Sequence, residues 1–120
     1  MAHYVDGFVL PVPKKNLAGY RRMAKKAGRI WKEYGALDYK ECVGDDLDVK
    51  IGMPFPKAIK TKPGETLVFS YIMYNSRKHR DQVNAKITKD PRIAALCDPK
   101  KMPFDEKRML YGGFKVIVSL

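Results

Sequence analysis

The sequence predicts an α+β domain: a four-stranded antiparallel sheet with its main helices on a single face. Three observations carry this reading. Hydrophobic patterns follow one another along the 120 residues as strand, helix, strand, strand, helix, strand. The first helical pattern, Lys14 to Tyr34, has a single apolar stripe, as a helix lying on a sheet requires. Strands one, three and four are apolar on both parities, so both faces of the sheet need cover. The order of elements is the ferredoxin-like split pattern, βαββαβ.

Taken in order, Tyr4–Val12 (YVDGFVLPV) reads as a strand that Pro11 and Pro13 should end, since proline donates nothing to a ladder. In the helix that follows, Leu17, Tyr20, Met23, Ala24, Ala27, Ile30, Trp31 and Tyr34 recur at spacings of three and four. Gly35 comes next, where a left-handed cap favours glycine. Gly28 lies on the apolar stripe, so close approach to the sheet is expected there. Residues 36–43 alternate, with Leu37, Tyr39, Glu41 and Val43 against Asp38, Lys40 and Cys42, as in an edge strand. Residues 44–65 read as a long irregular stretch that closes on a type II turn at Pro63-Gly64.

Thr66–Tyr74 (TLVFSYIMY) is the strongest strand and should be central. Ser76 is a fitting N-cap for a helix over Arg77–Lys89, and Asp90-Pro91 opens a short helix to Leu96. Residues 98–105 form a loop. Met109–Val118 is the last strand, with a bulge expected at Gly112-Gly113. The helices cover one sheet face only, so a homodimer stacked sheet on sheet is the simplest cover for the other.

Composition limits the function classes. No apolar run approaches the roughly 18 residues of a membrane span. The N-terminus lacks the basic and apolar regions of a secretory leader. The two cysteines, Cys42 and Cys97, make no disulfide framework and read as free thiols of a cytoplasmic protein. No close Cys/His cluster suits zinc, and no phosphate-loop, dinucleotide or nucleophile-elbow motif occurs, so no cofactor or metal is expected. The net charge is +11, and eight of the 24 Lys and Arg residues lie in Lys14–Tyr34.

YVDGFVLPVPKKNL, the KPGET turn, SRKHRDQVNAK and the ending DPKKMPFDEKRMLYGGF together resemble the bacterial DUF1428 proteins. The resemblance runs along essentially the whole chain. It implies the dimeric α/β barrel, a ferredoxin-like unit paired through its sheet, and it implies no reaction. Relatives of that fold include quinol and haem-degrading monooxygenases. The haem-degrading ones use an Asn on strand one, a Trp on strand three and a His on helix two. Here only His79 matches: strand one offers Asp6, and the single tryptophan, Trp31, is on helix one.

The residues suggest their own candidates. Asp6 is the only charge in an apolar strand, where burial would suit a general base. His79 falls on the sparse apolar stripe of the second long helix, placed for proton transfer. Arg77, Lys78 and Arg80 oppose the dipole at that helix's start, which calls for an anion: a ligand, or Asp45, Asp46 and Asp48 of the long stretch. Tyr39, Tyr71, Tyr74 and Tyr111 lie on strands, their polar tips and aromatic bodies suited equally to a pocket wall, a core or a dimer interface.

The expected function is binding, with or without turnover, of a small, mostly apolar molecule in a pocket between sheet and helices. Asp6 and His79 would be catalytic, the tyrosines and Arg80 ligand-binding, and Phe55 and Phe104 would close the mouth. The alternative is a nucleic acid or other anionic partner on the basic helix face. An RNA-recognition sheet carries aromatics on strands one and three. The nearest likeness here, Tyr111-Gly112-Gly113-Phe114-Lys115-Val116, is on strand four, away from the basic helix.

Overall fold

The computed structural model describes residues 3–120; Met1 and Ala2, where the N-terminal stretch read above begins, lie outside it. The elements are β1 (Tyr4–Pro13), α1 (Leu17–Glu33), β2 (Asp38–Val43), α2 (Phe55–Ile59), β3 (Glu65–Tyr74), α3 (Arg77–Ile87), α4 (Pro91–Leu96) and β4 (Leu110–Lys115). Single 3₁₀ turns at Lys14–Asn16 and Glu106–Arg108 lead into α1 and β4. The sheet order is β2-β3-β1-β4, and every neighbouring pair is antiparallel. This is the ferredoxin-like arrangement, with β3 inside and β2 at an edge as the patterns require.

Even-numbered residues of β1 and β3 face the helices. Two core clusters form there. In one, Tyr4, Ile72 and Tyr74 meet Ile30 of α1 and Val83 and Ile87 of α3; in the other, Leu10, Val12 and Val68 meet Tyr20 and Ala24. Phe8 packs against both clusters. Odd-numbered residues make the opposite face, which the long helices leave open. On it Phe69, Leu110 and Phe114 are 49%, 57% and 62% exposed.

Local signals act as expected at several points. Gly35 and Gly64 take φ of 111° and 82°, and the Glu65 amide closes its turn on the Lys62 carbonyl at 3.1 Å. Ser76 Oγ accepts from the His79 amide (3.1 Å), and Asp90 Oδ1 from the Arg92 amide (2.8 Å). A Cβ on Gly28 would lie 2.7 Å from the Tyr39 ring, so α1 sits close on the sheet there.

Four expectations are corrected. Pro11 does not end β1, which runs on through it to Pro13. The Lys14 amide donates to Gly64 of the β3 side (2.8 Å), so by alternation the odd positions turn toward β4, which pairs only as far as Val9. The missing proline donors thus face no strand. The stretch 44–65 is not wholly irregular, because α2 starts at Phe55 with Pro56 in its first turn, where no amide is needed. The glycines of β4 form no bulge, since its register with β1 runs unbroken from Leu110 to Lys115. They admit a neighbour instead: a Cβ on Gly113 would collide with the Tyr4 phenol. Finally, β4 stops at Lys115, opposite Tyr4 where β1 begins, and among the described residues no strand pairs with residues 116–120.

Gly113→Ala tests that packing. Tyr4 is pinned, with the Arg80 guanidinium 4.9 Å above its ring, so the added methyl should cost about 1–3 kcal/mol. Urea unfolding would show it as a lower midpoint, and an unchanged midpoint would mean that the ring yields freely.

Candidate functional site

The sheet registers side chains into rows across its helix-facing side. One row reads Glu41, Ser70, Phe8, Tyr111, and the next Tyr39, Ile72, Asp6, Gly113. On the buried face of α1 the small residues Ala24, Ala27 and Gly28 lie between the larger Tyr20 and Ile30. Small side chains on the helix and a serine in mid-sheet leave space between the two core clusters. A cavity of about 310 Å³ results, walled by Phe8, Tyr20, Trp31, Tyr39 and Phe104.

Glu41 is the polar centre of this cavity. Tyr20 Oη donates to its Oε1 and Tyr39 Oη to its Oε2, each at 2.7 Å. Burial pushes the Glu41 carboxyl above its ordinary 4.5, against the pull of hydrogen bonds from Tyr20, Tyr39 and Ser70. The same burial, with the Glu41 charge beside them, raises both phenols, so they remain donors. Cys97 also lines the cavity, and burial raises its thiol, which disfavours a thiolate nucleophile. Phe104 meets Tyr20 edge to face at 5.7 Å. Phe55, the other expected gate, lies in a separate groove with Val9 and Phe69.

Asp6, Arg80, Tyr74 and Tyr111 come together beside the cavity, under α3. Asp6 is 1% exposed, and its Oδ1 accepts from Arg80 Nη1 at 2.7 Å. Arg80 Nη1 also donates to Tyr111 Oη (3.0 Å). The anion that Arg80 answers is thus Asp6, rather than Asp45, Asp46 or Asp48. Burial pushes the Asp6 carboxyl above 3.8, and Arg80 holds that rise back. This network shoulders two cavity walls. Tyr111 stacks on Phe8 at 4.8 Å, and Trp31 Nε1 donates to Tyr74 Oη (3.1 Å), which donates on to Asn84 of α3 (3.4 Å).

The remaining sequence candidates lie elsewhere. His79 Nδ1 accepts from the Asn75 amide (3.0 Å), and its ring stands edge-on to Tyr74. Neither His79 nor Asp6 lines the cavity. Tyr71 is on the open face and donates to Asp38 Oδ2 (3.1 Å). The bases Arg21, Arg22, Lys25, Lys26 and Arg29 of α1 are exposed, away from the sheet. Among the described residues no cluster of His, Cys, Asp and Glu is arranged to hold a metal, and no helix is long and apolar enough to cross a membrane. Glu41 is the residue that pattern reading passed over. It was signalled by parity, as the one acid on the apolar side of the alternating strand Leu37, Tyr39, Glu41, Val43.

The sheet order and the one-sided helices define an α+β protein of the ferredoxin-like class. The chain belongs to the family described as "Protein of unknown function (DUF1428)", whose model matches residues 3–106. It is 44% identical over 116 residues to the uncharacterized protein YbaA of Escherichia coli K12, covering 97% of each chain. Among solved structures it is similar to a dimeric ferredoxin-like protein from an uncultured marine organism (TM-score 0.59, 10% identity, all of both chains). It is also similar to a NIPSNAP family protein of Agrobacterium tumefaciens (TM-score 0.62, 16% identity, 98% of this chain and 86% of that one). At these identities the likeness is one of fold.

The Asp6–Arg80 pair gives a test. Arg80→Met leaves a buried carboxylate without its cation, which should cost about 3 kcal/mol at pH 7. A carboxyl whose folded pKa is raised holds its proton more tightly folded than unfolded, so stability falls as pH rises through that range. Losing Arg80 raises Asp6 further, so the deficit should shrink toward pH 4. Denaturant midpoints at the two pH values check it, and a deficit independent of pH would assign the loss to packing alone.

Proposed function

We propose that this protein binds a small, mostly apolar molecule in the cavity between α1 and the sheet, and that it does so as a homodimer. The observation that carries the first part is an aromatic chamber with one hydrogen-bonded carboxylate inside it. Binding sites are commonly apolar hollows with a few convergent polar groups, and this volume suits a molecule of one or two rings. Asp6, Arg80, Tyr74 and Tyr111 act from the next layer, as positioning residues that hold the Phe8 and Trp31 walls. Naphthol and menadione are apt first probes. Either should raise the melting temperature in scanning fluorimetry, and Ala27→Phe, which puts a ring into the cavity, should remove the rise. A rise that survives this substitution would locate binding elsewhere.

The second part rests on the open sheet face. Val5, Val9, Phe69, Tyr71, Leu110 and Phe114 line a shallow depression there. A contiguous exposed apolar patch of this kind marks an interaction surface, and a second copy stacked sheet on sheet would cover it. The fold relative from a marine organism is described as dimeric, which supports the reading. Light scattering at micromolar concentration should give twice the 13.7 kDa chain mass. Phe69→Lys combined with Phe114→Lys should yield a monomer. A wild-type monomer would overturn this part and leave the cavity untouched.

A further inference from the structure

We propose that the cavity takes an organic ammonium ion, an amine whose apolar body fills the aromatic chamber and whose positive head rests on Glu41. This deepens the cavity reading above and depends on it. The first support is charge. In a chain with 24 Lys and Arg against 13 Asp and Glu, the charged residues lining the cavity are both acids, Glu41 inside and Glu106 at its exposed rim. Arg21 and Lys25 flank an adjacent outer groove that also reaches Glu41. Yet among the ion pairs of the described residues none involves Glu41. Three other buried or partly buried acids do have cations: Asp6 has Arg80, Asp90 has Arg92, and Glu65 has Arg108. Glu41 has phenols instead.

The second support is the chemistry of the walls. Two O–H donors on the two oxygens suit the ionised carboxylate, which is acceptor-only. Phenols spread that charge without neutralising it, so a positive ligand has something left to complete. Five aromatic residues, Phe8, Tyr20, Trp31, Tyr39 and Phe104, line the walls. Aromatic faces attract cations, most strongly where water is excluded. A carboxylate ligand would meet Glu41 as a like charge. A neutral alcohol could donate one hydrogen bond but would leave the charge uncompensated.

A matched series separates the possibilities. Phenethylamine, phenethyl alcohol and phenylacetate share one ring and differ in the charge of the head. Titration calorimetry on the intact chain at pH 7 should find the amine bound about tenfold more tightly than the alcohol, the scale of one well-placed charge contact, and no binding of phenylacetate. Glu41→Gln should bring the amine to within about twofold of the alcohol, the difference between the two being the quantity read. The wild-type series stands alone if that variant fails to fold. An alcohol or acid that binds as well as the amine overturns the ammonium assignment and leaves the cavity reading in place. Failure of all three, together with failure of naphthol and menadione, overturns both.

Discussion

A sheet that is apolar on both faces, in a chain whose long helices cover one, is the constraint on which this structure depends. β1 and β3 are the inner strands, paired with each other along their length and with an outer neighbour along part of it. Their even side chains supply the core under α1 and α3, while their odd ones, with Phe114 and Leu110 of β4, form the open face. The basic charge of α1 has no part in this. Its lysines and arginines are exposed, and the stripe beneath them does the packing.

The fit of α1 to the sheet is uneven, and the cavity follows from that unevenness. Near Ile30 the helix meets Tyr4, Ile72 and Tyr74 in a filled core. Around Ala24, Ala27 and Gly28 it approaches the sheet closely, but it offers little volume over Ser70 and Glu41. Aromatic rings from β1, α1, β2 and the loop before β4 wall the gap without filling it. Such an arrangement leaves packing enthalpy ungained and holds a carboxylate in a partly dry site. Both suit a site that a ligand completes.

Beside the cavity, the Asp6–Arg80 pair joins three elements through one charge contact. Arg80 lies in the first turns of α3, Asp6 is near the start of β1, and Tyr111 of β4 shares the guanidinium. Its desolvation cost is offset by several hydrogen bonds, and the gain is a defined place for α3 over the sheet. Because Tyr111 also stacks on Phe8, and Tyr74 accepts from Trp31, this placement is transmitted to the cavity walls.

Sequence by itself determined the class of fold, because the period of apolar residues distinguishes helix from strand, and the order of the elements is that of the ferredoxin-like pattern. It also determined the caps at Ser76 and Asp90 and the turn at Gly64, each a matter of local chemistry. It marked Asp6 as a charge that burial would make consequential. What tertiary structure alone decided was which side chains share a space. Asp6, Arg80, Tyr74 and Tyr111 come from four elements and meet only through strand register. Tyr39 and Tyr71, two residues of similar pattern, are sent to opposite faces. Pro11 stays within a strand because β4 is too short to need its missing donor. Glu41 carried its signal in parity, yet its meaning required knowing that Tyr20, fixed on a helix far along the chain, reaches the same carboxylate. Local pattern reports which way a residue faces; what it faces depends on non-local packing, which no short window of sequence contains.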